Sequence, residues 1–428
     1  MADIKLPYGK GYLDVEIPDD RLNAVLVPDI HNYKPKSSQT ELVKQALESP
    51  IAFPRLRELA RNKNKIVIIA SDHTRPVPSK IIMPLILDEI RQGNPNADIT
   101  ILIATGFHRG TTTDELIAKF GHDIVANEKI YVHDSYDDNM MVNLGVLPSG
   151  GQLIINKMAV EADLLVSEGF IEPHFFAGFS GGRKSILPGI ASKTTVMYNH
   201  NSEFIADENA RTGILEGNPI QEDMIYAAGT AGLSFIVNVV INSRKEVIYA
   251  VAGDFDLAHQ QGCEFLSNKC KVSSLPSDIV ITTNGGYPLD QNIYQAVKGM
   301  TAAESVVNQD GVIIMIAESS DGHGGEGFYR TFKDERSLEH ILSSIMNTPK
   351  EDTIPDQWES QILARVLKKA RVIYVSNAPD ELVTDMHMIP APSIDEAIKK
   401  ADEILKKQNS KITVIPDGVS VIVHPDKN

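Results

Sequence analysis

Short apolar runs rich in β-branched residues alternate along this chain with stretches whose apolar positions recur at i, i+3 and i+4. The first kind covers residues 65–70, 99–104, 163–167, 235–241 and 247–252. Near-continuous apolar runs of that length predict the buried strands of a mostly parallel sheet. The second kind covers residues 80–91 and 113–120 and predicts helices laid on such a sheet. Around Asn242-Ser-Arg-Lys245 the intervening chain is too short for a crossover, so the flanking strands are expected to form a hairpin.

A polar, proline-bearing segment at 272–277 interrupts this pattern, and the alternation then restarts. Strands are expected at 278–282, 312–317 and 372–376, and helices at 293–300, 338–346, 356–369 and 394–406. The fold class is therefore α/β with two domains and mostly parallel sheets. A larger, Rossmann-like domain is expected over residues 1–271 and a smaller one over 272–428. The final runs, 412–415 and 419–423, fit either sheet, so the strands within 410–428 either complete the second domain or rejoin the first.

Composition narrows the function. At 428 residues, with 42% hydrophobic and 23% charged side chains, the chain is globular and long enough for two cores. A net charge of −16 and a pI near 5.2 exclude a broad electrostatic grip on nucleic acid or an anionic membrane, yet leave room for a small anion in one basic pocket. The N-terminal Met-Ala-Asp-Ile-Lys-Leu-Pro-Tyr-Gly lacks a basic stretch followed by an apolar run, and no window approaches a membrane span. A cytoplasmic protein without membrane contact is the expectation. Cys263 and Cys270 lie seven apart on an expected amphipathic helix, too far along its axis for an easy disulfide, and read as two buried thiols.

Polar clusters follow directly on four expected strands, the edge where open α/β sheets bind ligands. They are Ser71-Asp-His-Thr-Arg-Pro76, Thr105-Gly-Phe-His-Arg-Gly110, the run from Glu168 to Lys184, and Asn284-Gly-Gly-Tyr-Pro-Leu-Asp-Gln291. The cleft between the domains is the expected site. In the first cluster Pro76 keeps Arg75 out of a helix, so its planar fork is presented to a carboxylate or phosphate, with Asp72 accepting from a hydroxyl. His108 and His174 leave strands of one sheet edge and form a candidate acid/base pair. Each alone reads as a structural histidine.

Gly178-Phe-Ser-Gly-Gly-Arg-Lys-Ser185 nearly matches a phosphate loop, but Arg183 occupies the position of the second required glycine. The glycines permit positive φ or close approach of a ligand. His200, past a short expected helix, is a helix-end residue or a metal ligand; with no CxxC and no HExxH, other donors would have to complete a metal site. Tyr294, Gln295 and Lys298 open a helix, with Tyr294 and Lys298 on one face. His323 and Glu326, in a glycine-dense run, are supporting groups at most.

Taken together, these clusters resemble the nickel-pincer lactate racemases over nearly the whole chain. The motifs that carry the resemblance are Ser-Asp-His-Thr-Arg-Pro-Val-Pro, Ala-Thr-Gly-Phe-His, His-Phe-Phe-Ala-Gly-Phe-Ser-Gly-Gly-Arg-Lys-Ser, and Asn-Gly-Gly-Tyr-Pro-Leu-Asp-Gln-Asn-Ile-Tyr-Gln-Ala-Val-Lys-Gly-Met. The resemblance implies a pyridinium-3,5-bisthiocarboxylic acid mononucleotide joined to Lys184 and holding nickel, with His200 as the protein ligand. It implies that His108 and His174 are the acid/base pair. Asp72, His73, Thr74 and Arg75 would grip the cofactor, Arg75 also the substrate, and Tyr294, Gln295 and Lys298 would bind substrate. The implied activity is racemisation of D- and L-lactate by proton-coupled hydride transfer through bound pyruvate, with cofactor-biosynthesis and nickel-insertion proteins as partners.

Readings from other classes remain open at this point. A racemase or epimerase of another 2-hydroxy acid would share the cofactor motifs. A small-acid dehydrogenase would need a GxGxxG fingerprint opening a helix, and none occurs in that context. A cofactor carrier would need Lys184 but not paired histidines, and a binding protein for small acids would need neither histidine.

Overall fold

Two six-stranded sheets organise the chain, and the computed structural model describes residues 1–426 of it. In the first sheet the strands run in the order Val247–Asp254, Leu233–Ile241, Leu164–Phe170, Lys65–Ser71, Asp98–Ala104, Lys129–Val132. All neighbours are parallel except Leu233–Ile241 and Val247–Asp254, which form the expected hairpin. The chain enters at the centre on Lys65–Ser71, winds to one edge, and returns to place Leu164–Phe170 on the other side. Those two strands flank the switch point of the sheet, where a doubly wound fold opens a crevice at the carboxyl ends. Fully buried Ile66, Ile68, Ile101 and Val237 form the core between the sheet and its helices, and Ile82, Met83 and Ile86 face it from helix Ser79–Gly93.

The second sheet is wholly parallel, in the order Ile389–Ala391, Arg371–Val375, Val307–Ile316, Ser277–Thr283, Ile412–Ile415, Leu22–Val25. The two compact units do not follow a single cut in the sequence. One comprises residues 1–29, 201–206 and 269–426, the other residues 30–200 and 207–268. Residues 1–29, grouped with the larger domain on sequence grounds, cluster with the C-terminal chain because Leu22–Val25 is an edge strand there and pairs with Ile412–Ile415. The preceding hairpin, Ala2–Tyr8 with Gly11–Ile17, alternates strictly: Ile4, Leu6, Val15 and Ile17 are buried against Ile279, Ile281 and Ile314. Arg21 fixes the junction through a two-pronged pair with Asp402, at 2.7 and 3.0 Å.

The chain's last strands belong to this same unit. Ile412–Ile415 lies between two strands of the second sheet, and Ile422–Pro425 pairs with Lys271–Ser274. The described residues 410–426 thus cluster with residues 269–409. Cys263 and Cys270 are buried free thiols on helix Leu257–Cys270, and burial pushes both up to about 12, far from a reactive thiolate. Among the described residues no helix is long and apolar enough to cross a membrane.

Leu6 is fully buried in the second unit's core, so Leu6→Ala is expected to cost about 2–5 kcal/mol. The chain's single tryptophan, Trp358, lies in that unit. Its fluorescence in a urea titration should therefore show a lower midpoint for the variant.

Candidate active site at the strand ends

The turn after Lys65–Ser71 is held by its own side chains. Asp72, 1% exposed, takes a hydrogen bond from His108 Nδ1 at 2.7 Å and another from the Thr74 hydroxyl at 2.7 Å. Thr74 Oγ1 also accepts from Arg75 at 3.1 Å. Burial alone would raise the Asp72 pKa. The bonds from His108 and Thr74, with the charge of Arg75, outweigh that effect and hold the carboxyl below its ordinary range. An ionised Asp72 fixes His108 with Nδ1–H toward the carboxylate, which leaves Nε2 as the nitrogen with a lone pair in the neutral ring. His73, beside them, bonds Thr111 through Nδ1 at 3.1 Å.

Two side chains beneath this turn were not singled out from the sequence. Lys119, from helix Thr113–Phe120, donates to Ser71 Oγ at 3.1 Å and to the Arg75 carbonyl at 3.4 Å. Glu168, near the end of the central strand, is buried and bonded by the Ser79 hydroxyl. Burial raises the Glu168 pKa and lowers that of Lys119, and each is the other's principal opposing charge. The pair thus underlies the turn that presents Arg75. Lys119 looked like any last-turn lysine on an amphipathic helix, and no sequence signal separated it from a solvated one.

The glycine-rich segment is shaped by Arg183, which points inward. Its guanidinium is fully buried and donates to Gln221 Oε1, to the Ala177 carbonyl at 2.8 Å and to the Gly181 carbonyl at 3.2 Å, with His259 Nε2 at 3.1 Å. Gly178 and Gly182 take φ of +73° and +52°. A Cβ on Gly178 would stand 2.3 Å from the Ile214 carbonyl oxygen, and one on Gly182 would stand 2.7 Å from the His259 ring. Positive φ is thus realised, while the close approach these glycines permit is to the protein's own backbone and side chains.

With the loop folded this way, Lys184 and His174 meet: Lys184 Nζ lies 3.4 Å from His174 Nε2. His174 stacks on Phe175 at 5.1 Å and meets the edge of Phe176 at 4.5 Å. Its Nδ1 accepts from the Ala177 amide at 3.3 Å, so the neutral ring carries its proton on Nε2. That nitrogen faces Lys184 Nζ. Phe176 also packs edge-on to His200 at 5.2 Å. Burial, reinforced by the charge of Lys184, pushes the His200 imidazole down to about 3. It is neutral at ordinary pH, the form that ligates metals.

The two clusters share one edge. The Gly106 amide, two residues before His108, donates to the Gly189 carbonyl at 3.0 Å, tying the histidine loop to the segment that carries Lys184. Among the described residues no three His, Cys, Asp or Glu side chains converge on a common metal position. A metal beside His200 would therefore need donors beyond protein His, Cys, Asp and Glu side chains to complete its coordination, and the buried neutral imidazole fits the protein's share of such a site.

Tyr294, Gln295 and Lys298 lie in the other compact unit, on helix Ile293–Glu304, whose first turn is capped by Asn292. Lys298 Nζ donates to Gln295 Oε1 at 2.7 Å, and the Tyr294 hydroxyl donates to Asp356 at 3.0 Å. Gly322 and His323 cap this helix start, their carbonyls accepting from the Ile293 and Tyr294 amides at 3.0 and 3.1 Å. His323 stacks on Tyr329, and its Nε2 lies 3.5 Å from Glu326. These two residues support the loop.

Three buried imidazoles set the acid limit of the first unit. Burial pushes His133 down to about 4, and His200 and His259 down to about 3. Because these folded values lie below the ordinary 6.5, their contribution to stability is complete above about pH 6.5 and is lost as pH falls toward 3. His133, which contacts Asn156 and the Ala191 carbonyl, lies outside the two clusters and tests this. In His133→Asn the denaturation midpoint should fall less steeply between pH 6.5 and pH 4 than in the unaltered protein.

Comparison with known proteins accords with this geometry. Residues 8–213 match the family profile described as the lactate racemase N-terminal domain, and residues 272–423 match that of the lactate racemase C-terminal domain. A lactate racemase of Thermoanaerobacterium thermosaccharolyticum is 58% identical over 424 residues, 99% of each chain. One from Lactiplantibacillus plantarum is 54% identical, over 99% of this chain and 100% of that one. The structure of the T. thermosaccharolyticum lactate racemase apoprotein superposes with a TM-score of 0.96 at 57% identity, covering 99% of this chain and 100% of that one. A Thermotoga maritima protein shares the fold alone, at 18% identity and a TM-score of 0.62 over 91% of this chain and 97% of that one. The chain belongs to the lactate racemase family and is an isomerase of the racemase type.

Proposed function

We propose that this racemase interconverts D- and L-lactate with a nickel-bearing pyridinium-3,5-bisthiocarboxylic acid mononucleotide joined to Lys184. The observation that carries the reading is one sheet edge holding an Asp72-oriented His108, a His174–Lys184 contact and a buried neutral His200. Lys184 would bind the group as a thioamide, and His200 would give nickel its protein ligand. When bound, the group supplies a hydride acceptor and the sulfur and carbon donors that the protein lacks. Lys184 would receive it from cofactor-biosynthesis and nickel-insertion proteins.

The side chains' own work follows from their geometry. The α-hydrogen of lactate is weakly acidic beside a carboxylate, so its loss as a proton would pile charge on charge. Loss as hydride, with the hydroxyl proton taken by a base, instead gives pyruvate, which carries no charge beyond its carboxylate. His108 Nε2 is suited to take that proton, because ionised Asp72 holds Nδ1–H and stabilises the imidazolium that forms. Return of hydride to the opposite face inverts the centre, and that face needs its own proton donor. His174 would fill the role as the imidazolium, delivering a proton from Nε2, the nitrogen turned toward Lys184. Arg75, braced by Thr74 and by Lys119 on its carbonyl, would hold the lactate carboxylate. Tyr294, Gln295 and Lys298 would also bind substrate, Lys298 through its carboxylate.

Protein produced with the maturation proteins should weigh more than its sequence by the mass of the cofactor, with the added mass on Lys184 and nickel bound; an active enzyme of unmodified mass would refute the reading. His108→Ala and His174→Ala should each lower lactate racemisation by roughly 10²-fold or more, measured from either enantiomer. Racemisation rates for longer 2-hydroxy acids separate lactate from the alternative substrates. A higher kcat/KM for one of them would move the assignment to that acid.

A further inference from the structure

Helix Gln357–Lys369 packs on helix Ile293–Glu304 and carries Glu359 in its first turn. Glu359 is fully buried, and neither of its carboxylate oxygens has a hydrogen-bond partner. A buried carboxylate without a hydrogen bond is costly to fold, so it holds a proton or answers to a nearby cation. The groups that face it are Lys298 and Tyr294 from the neighbouring helix and Asp356 from the start of its own. Other charges on the surrounding elements are engaged with one another: Glu304 with Arg365, Glu203 with Lys350, Glu326 with Arg330, and Asp385 with Lys333. Burial pushes the Glu359 carboxyl up to about 8; Lys298 opposes that rise and Asp356 adds to it.

We propose that Glu359 is a positioning residue that governs Lys298: as a neutral acid it leaves the ammonium charge to the substrate carboxylate, and as a carboxylate it competes for that charge. The inference rests on the reading that Lys298 binds the substrate carboxylate. Gln295, which accepts from Lys298 at 2.7 Å, holds the ammonium in place without neutralising it. A permanently ionised group beside Lys298 would spend that charge before substrate arrived. A buried acid that keeps its proton keeps the site attractive to an anion, and surrenders the attraction when the proton leaves. The effect falls on substrate binding, hence on KM.

The test is the pH profile of KM for lactate in the loaded holoenzyme between pH 6.5 and pH 9. In the unaltered enzyme KM should rise by roughly tenfold, the factor that one pKa unit of coupling represents. In Glu359→Gln, which keeps the shape but cannot ionise, KM should stay flat across the range. In Lys298→Gln, KM should be raised already at pH 6.5 and show no further rise, a profile that remains informative if Glu359→Gln folds poorly by thermal melt. A wild-type rise that persists in Glu359→Gln, or in a Lys298→Gln enzyme with raised KM, overturns the role of Glu359. An unchanged KM in Lys298→Gln at pH 6.5 instead overturns the reading of Lys298 on which the inference stands.

Discussion

The buried guanidinium of Arg183 is the constraint on which the site depends. Among the described residues no carboxylate forms an ion pair with it, and it is satisfied by carbonyl oxygens of its own loop and by Gln221, with His259 Nε2 beside it. A charge in that position tolerates little slack, because any donor that loses its acceptor there carries the full cost of desolvation. Keeping those donors paired favours the observed loop conformation. Lys184, the next residue, emerges from that conformation, and His174 and Phe176 are placed opposite it. Gly182 completes the lock, its amide donating to Asn238 on the sheet at 2.7 Å.

Around that fixed loop the histidines are set to different electrostatic states by their surroundings. His108 leans on an ionised carboxylate. His200 is buried and stays neutral. His174 lies among phenyl rings, with one nitrogen engaged by backbone and the other turned to Lys184. One residue type thus stands in three different surroundings, and burial together with the nearest charge sets each copy apart.

Much of this was legible in the sequence because strand ends announce themselves. The runs ending at Ala70, Ala104 and Ser167 were nearly pure apolar strands, so the polar residues following them had to lie on one edge. Arg183 was harder: its position in a broken phosphate-loop pattern marked it as a defect, and only the fold reveals an inward course. Glu359 and Lys119 were invisible, since a charged residue early or late in an amphipathic helix is ordinarily solvated. The hairpin over the first seventeen residues was readable in principle. Ile4, Leu6, Leu13, Val15 and Ile17 alternate with charged neighbours around Gly-Lys-Gly, yet nothing local says which sheet such a hairpin will cover.

That hairpin and its following strand bear on how the chain is made. Leu22–Val25 pairs with Ile412–Ile415 across nearly the whole sequence. During synthesis Leu22–Val25 cannot find its partner strand until residues 412–415 have emerged, whereas the hairpin before it can be covered once Ile279, Ile281 and Ile314 are present. The sheet of the unit that carries Lys298 is therefore completed late, while the residues of the unit that carries Lys184 end at 268.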